Sequence, residues 1–303
     1  MIRVIDAVKS FEKGKKALDG LCINVKRGSI YGLVGTNGAG KTTVIKSILG
    51  ILHLDAGEIL VSERLVSDDP QVKQLIGYVS DDPFAFRGYS LKEMGAYTAG
   101  LYESWNEERF RQLIGEFELD DKAKLSSFSK GMRKQAAFIL ALSVMPEYLI
   151  LDEPIDGLDP LVRRKTWKYI IDDVAEREMT VLVSSHNLRE MEGYCDHIGI
   201  IADGRMVIER DLEDLKSDIH KIQVAFKDED EDTFAKATES MAVMHHETRG
   251  SVHIAIIREP ADKIQEAFSA FDTPVFDMLP LTLEEIFVYE LGGETNEIHD
   301  IIQ

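Results

Sequence analysis

The chain has 303 residues, 44% of them hydrophobic and 29% charged, a composition that can bury a substantial core in about two domains. Its net charge of −19 argues against a surface built to grip nucleic acid. No run of 18 apolar residues is present; AAFILALSVM (136–145) is about half a membrane span, and MIRVIDAVKSF lacks the apolar core of a secretory signal. Cys22 and Cys195 have no metal-ligand spacing and read as two buried thiols in a reducing compartment. Residues 211–303 carry 7 Lys and Arg against 22 Asp and Glu, whereas residues 1–210 carry 28 against 32, a step in charge that predicts a domain boundary near residue 210.

In chain order, IYGLVGTNGAGKTTVIKSILG (30–50) reads as a buried strand, a glycine-rich loop and an amphipathic helix. It contains G-x-x-x-x-G-K-[ST] as Gly35, Gly40, Lys41 and Thr42, a pattern whose backbone amides cradle phosphates. Lys41 would supply charge to the β- and γ-phosphates, and the Thr42 hydroxyl would ligate Mg²⁺. The aromatic-rich stretch PFAFRGYSLKEMGAYTAGLYESW (83–105) follows IGYV and SDDP. Then FSKGMRKQAAFILAL (128–142) opens a largely apolar helix with a serine cap, a start suited to an anion. YLILDEP (148–154) ends an apolar strand in two carboxylates. Asp152 would hold Mg²⁺ through water or the Thr42 shell, and Glu153 would polarise the attacking water. VLVSSHNLREME (181–192) is a further strand with His186 at its end.

Beyond residue 215 the pattern changes. HKIQVAF alternates like a half-buried strand, EDTFAKATES suits a helix, and MAVMHHE and SVHIAII read as strands joined at Thr248–Gly250. PADKIQEAFSAF is a capped amphipathic helix and PVFDML another strand, giving the β-α-β-β-α-β order of a ferredoxin-like unit. LTLEEIFVYEL forms a final helix, and GGETNEIHDIIQ reads as a loose end.

With these motifs in order, residues 1–215 resemble the ATP-binding cassette (ABC) family. FSKGM stands where that family has L-S-G-G-Q, IDGLDP (155–160) resembles its D-loop, and His186 its switch histidine. Phe11 falls where the family stacks an aromatic on adenine, and Asp81 where it carries a Mg²⁺-linked glutamine. The resemblance implies an α/β fold: a P-loop NTPase cassette with a mixed-sheet core and a helical subdomain (about 84–146). A small acidic α+β, ferredoxin-like domain would follow over 216–303. It also implies ATP and Mg²⁺ as ligands. Phe11, Gly35, Thr36, Asn37, Gly38, Ala39, Gly40, Lys41, Thr42 and Thr43 would hold the nucleotide. Thr42, Asp81 and Asp152 would serve the metal, and Lys41, Glu153 and His186 the chemistry.

In that family two cassettes pack head to tail. Ser129, Lys130 and Gly131 of one copy would then meet the γ-phosphate held by the other, and Asp159 would bond His186 across the dimer. The tail resembles those of bacterial ABC-2-type exporter ATPases, which implies a homodimer beneath separate membrane permeases, docked near Phe84, Phe86 and Tyr89. The chain would sit peripherally on the cytoplasmic face of the membrane, without nucleic acid as partner. The rival readings are a soluble ABC-type ATPase acting on nucleic acid or ribosomes, disfavoured by the charge, and a slow-turnover ATP sensor.

Overall fold

The computed structural model describes residues 1–11, 14–67, 69–83, 88–214, 219–227 and 232–290. Contacts divide the chain at residues 209 and 210 into two compact units. Glu209 belongs to the first, where its carboxylate accepts from the Tyr31 hydroxyl (2.7 Å) and the Asn24 amide (3.2 Å). The division falls six residues before the 215/216 boundary read from the sequence.

The first unit carries two sheets. Strands β1 (Ile2–Ser10), β2 (Lys16–Val25), β4 (Ala56–Val61) and β5 (Arg64–Leu65) form an antiparallel sheet of order β2-β1-β4-β5. The second sheet has the order β10-β9-β3-β8-β7-β6. It comprises β3 (Ile30–Val34), β6 (Ile76–Val79), β7 (Tyr148–Asp152), β8 (Thr180–Ser185), β9 (His197–Ala202) and β10 (Arg205–Asp211). Strands β3, β7 and β8 are buried at every residue, as parallel strands covered on both faces must be. Helix α1 (Lys41–Ile48) lays Val44, Ile45 and Ile48 into one core with Leu18 and Leu21 of the first sheet and Leu33, Ile150 and Leu182 of the second.

Four further helices complete this unit beside a short α2 (Pro70–Gln74): α3 (Leu91–Ala99), α4 (Glu107–Phe117), α5 (Lys130–Ser143) and α6 (Pro160–Arg177). Helix α3 starts in a full capping box, Ser90 with Glu93. Helix α5 is buried at every position from Lys134 to Ser143, which its almost continuous apolar run requires. Asp173 of α6, 3% exposed, accepts from Arg109 of α4 (2.7 Å) and Arg177 (2.8 Å), fastening the helical subdomain to α6.

The two cysteines differ. Cys195 is buried, and burial pushes its thiol well above the ordinary range. Cys22 is exposed, correcting the expectation of two buried thiols, because β2 alternates and places Cys22 on its outer face between inward Leu21 and Ile23.

In the second unit β11 (Ile219–Ala225), α7 (Thr233–Ala237), β12 (Ala242–Arg249), β13 (Val252–Arg258), α8 (Ala261–Ser269) and β14 (Val275–Leu279) precede α9 (Leu283–Glu290). The sheet order β12-β13-β11-β14, antiparallel throughout, is the ferredoxin-like arrangement. Strand β12 runs on through Arg249, so the turn falls at Gly250 (φ 66°) and not across Thr248–Gly250. Ile222, Val224, Phe234, Ile257, Ile264 and Phe268 form this unit's own core. Against it Phe234 stacks on His246 (centroids 4.0 Å apart) and His253 (4.9 Å), with His246 Nε2 and His253 Nδ1 2.9 Å apart.

Candidate functional site

Strand register builds the site. Val34 of β3 pairs with Ser185 of β8, and Asp152 of β7 pairs with Ser184 of β8. The residues one step past those strand ends, Gly35, Glu153 and His186, are therefore neighbours at the carboxyl edge of a parallel sheet, where α/β folds place their ligands.

The loop 35–40 then turns into α1 through Gly40, whose φ of 114° is open to glycine alone; a Cβ there would also lie 2.6 Å from the Ala17 carbonyl. A Cβ on Gly35 would meet the Ile201 carbonyl at 2.4 Å, so the loop lies flat on its neighbours. No side chain caps α1 and its first turn holds no acid, leaving its positive end and free amides to an external anion. Thr36, Asn37, Gly38 and Ala39 complete the loop, with Asn37 and Gly38 exposed at its rim, and Thr43 lies in the first turn of α1.

Lys41 is 5% exposed. Its Nζ donates to the Gly35 carbonyl (2.6 Å) and the Thr36 carbonyl (3.2 Å) and pairs with Glu153 Oε1 (3.1 Å). Thr42 Oγ1 donates to Asp152 Oδ1 (3.2 Å), setting two hard oxygen donors side by side, the chemistry Mg²⁺ selects. The Ser184 hydroxyl, fully buried, donates to Asp152 Oδ1 (2.7 Å) and accepts from the Glu153 amide (3.1 Å), fixing both acids at once. Burial and the adjacent Asp152 and Asp81 charges hold the Tyr78 phenol well above its usual range.

Glu153 itself has φ 46°, a left-handed backbone that costs a non-glycine residue on the order of 1 kcal/mol or more. Its Oε2 meets His186 Nδ1 at 2.8 Å and accepts from the His186 amide at 3.3 Å. His186 is half exposed, and within the chain its partner is Glu153. Phe11, just past β1, is also half exposed.

The signature stretch behaves as a helix start. Ser129 caps α5, its Oγ accepting from the Met132 amide (3.2 Å), and remains exposed with Lys130. Lys130 pairs with Asp156 at 2.5 Å, which draws the Asp156 carboxyl below its usual range. A Cβ on Gly131 would lie 2.9 Å from the Gly157 carbonyl, so the signature packs on residues 156–157 of its own chain. Asp159 caps α6 by accepting from the Leu161 and Val162 amides (3.0 and 3.1 Å). The Asp81 carboxylate, half exposed, has Lys134 Nζ 3.2 Å from Oδ1.

Two members of this assembly escaped the sequence reading: Ser184 and Lys134. A serine ending a fully apolar parallel strand, and a lysine opening a wholly buried helical run, are the signals that mark each as a polar group in need of a partner. Phe84 and Phe86 lie outside the described residues; Tyr89 is exposed. Between β6 and helices α3 and α5, a cavity of about 280 Å³ is lined by Gly77, Tyr78, Pro83, Thr98, Tyr102 and Leu140.

A glycine loop closing onto an uncapped helix, a buried lysine, and a Thr–Asp pair at the next strand end together define a P-loop NTPase fold. The particular family is shown by comparison. The ABC transporter family description matches residues 18–156. The ABC transporter ATP-binding protein YtrB of Bacillus subtilis is 30% identical over 93% of this chain and 95% of its own length. The bacitracin transport ATP-binding protein BcrA of Bacillus licheniformis is 30% identical over 97% and 98%. A solved structure of an ATP-binding subunit of an ABC transporter superposes with a TM-score of 0.66 at 28% identity, covering 71% of this chain and 92% of that one. The chain belongs to the ABC transporter ATP-binding family, whose cassettes bind ATP with Mg²⁺. Among the described residues no helix is long and apolar enough to cross a membrane.

Proposed function

We propose that the chain hydrolyses ATP as the energy-supplying subunit of a bacterial exporter, working as a head-to-tail homodimer beneath separate ABC-2-type membrane subunits. The observation that carries this reading is the meeting of Lys41, the Thr42–Asp152 pair and the Glu153–His186 pair at adjacent strand ends. The loop amides of residues 36–43 and the Lys41 ammonium hold the triphosphate, and Phe11 covers the adenine. Thr42 and Asp152, with Asp81 from the loop after β6, would hold Mg²⁺. When bound, the metal would offset phosphate charge. Phosphate oxygens replace Glu153 Oε1 on Lys41, which leaves Glu153 with His186. Glu153 then accepts a proton from the water that attacks the γ-phosphorus, and ADP leaves. His186 orients that carboxylate through Nδ1 and presents its outer edge to the γ-phosphate.

The second copy completes the site with its exposed Ser129 and the Lys130 and Gly131 amides at the positive end of α5, and with Asp159 facing His186. That arrangement would give the exposed Ser129 hydroxyl at the start of α5 an anionic partner from the second copy. The cavity lined by Thr98, Tyr102 and Leu140 offers the membrane subunit a seat on the helical subdomain, with Tyr89 exposed on the same subdomain. The tail, sharing no catalytic motif, braces or regulates the dimer, and its likeness to exporter tails supports the direction of transport. The cytoplasmic membrane face is the place such a subunit works.

Steady-state ATP hydrolysis tests the reading. The wild-type chain is expected to turn over Mg-ATP, and Glu153→Gln to lose about 10²–10⁴-fold in kcat while still binding ATP, the usual scale for losing a general base. Equal turnover by the two would overturn the assignment of Glu153.

A further inference from the structure

The most deeply buried lysine among the described residues of the first unit, more buried even than Lys41, has no part in the scheme above. Lys134, on the first full turn of α5, is 0% exposed. Its Nζ donates to the main-chain carbonyl of Glu153 at 2.6 Å and to Asp81 Oδ1 at 3.2 Å. Stability alone does not favour such a residue. Asp81 is 55% exposed and so compensates poorly for a fully desolvated ammonium, and an apolar side chain of similar shape commonly serves a buried position as well or better.

The position of the contact is what distinguishes it. Glu153 adopts a left-handed φ of 46° and is followed by Pro154, which restricts the preceding backbone further. Its amide is held by Ser184 Oγ and its carbonyl by Lys134 Nζ, so both peptides flanking the glutamate are clamped by buried polar groups from β8 and α5. A carboxylate on so constrained a backbone points where the backbone aims it.

We propose that Lys134 is the positioning residue of Glu153: it fixes the strained peptide that aims the carboxylate, and Asp81 in turn holds the lysine. The inference rests on the reading of Glu153 as the base. Through this chain of contacts the loop 80–83 and the signature helix both act on the aim of Glu153, and displacement of either loosens it. Lys134 touches no substrate atom in this scheme; it acts through Glu153.

The test compares Lys134→Met, Lys134→Gln and Asp81→Asn with wild type and Glu153→Gln, reading thermal unfolding, ATP affinity by calorimetry, and kcat and KM for ATP. Lys134→Met is expected to unfold at the same temperature as wild type or higher and to bind ATP within about twofold. Its kcat should fall about 10- to 100-fold with KM little changed, the scale of an ångström-sized misplacement. Lys134→Gln, keeping an amide donor of shorter reach, should recover part of the loss and carries the same reading if the methionine variant fails to fold. Asp81→Asn, which also touches the proposed metal site, should lose less than Lys134→Met when assayed at saturating Mg²⁺. A lysine that merely props the core would give the opposite pattern, a lowered unfolding temperature with kcat per folded molecule unchanged, and that result overturns the proposal. If wild type and Glu153→Gln turn over alike, the reading of the base falls and this inference with it. A full-rate Lys134→Met beside a dead Glu153→Gln removes the inference alone.

Discussion

Ser184 shows how much of the site depends on residues that never touch substrate. Its hydroxyl serves Asp152 and the Glu153 amide together, with no exposure to water. Ser184→Ala leaves the Glu153 N–H without its partner, a cost of about 1–3 kcal/mol in unfolding free energy by denaturant titration. Because Asp152 then loses its orienting donor, the Mg²⁺ concentration for half-maximal turnover should also rise about 10-fold or more, as loss of outer-shell partners usually brings. An unchanged Mg²⁺ requirement would remove Ser184 from the site. Residues with a motif spacing were open to sequence reading: Gly35, Gly40, Lys41, Thr42, Asp152 and Glu153 each stand where phosphate or metal chemistry demands one residue type. Ser184 and Lys134 were not, since each owes its place to contacts 19 to 32 residues or more away in the chain. The lysines of KGMRK look alike in sequence; only the burial of α5 separates Lys134, turned inward, from Lys130, exposed on Asp156.

At the scale of elements, alternation and apolar runs fixed strands to within a residue or two. HKIQVAF became β11 (Ile219–Ala225) and PVFDML became β14 (Val275–Leu279). The pairing of α4 with α6 through Arg109 and Asp173 had no local sign, because an ion pair 64 residues apart leaves no spacing to read. The stacked ring cluster of the tail was equally silent. There β12 and β13 bring His246 and His253 together against Phe234 of α7, with His245 nearby. Burial, then the charges of His253 and His245, lower the His246 pKa from its ordinary value of 6.5. The unfolded chain therefore binds a proton at a pH where the folded unit refuses it, so this contribution to stability is present above about pH 6.5 and is lost as pH falls below it. Thermal unfolding of the tail should drop between pH 7 and 5, and His246→Gln should flatten that dependence. A tail equally stable across the range would contradict the assignment.

For the molecule as a whole, a cassette of modest charge is followed by a tail with 22 acids against 7 bases. Relatives aligned over 93% and 97% of this chain extend well into the tail, so the similarity is not confined to the cassette. On the proposed reading, a second copy in head-to-tail contact would bring the γ-phosphate on its own phosphate loop to the exposed Ser129 end of α5. The most direct test is light scattering after size exclusion on Glu153→Gln, with and without Mg-ATP, repeated with Ser129→Trp added. The account expects a dimer that forms or tightens with ATP and is lost in the double variant. A chain that binds ATP yet stays monomeric, or a dimer indifferent to Ser129, would contradict the shared site.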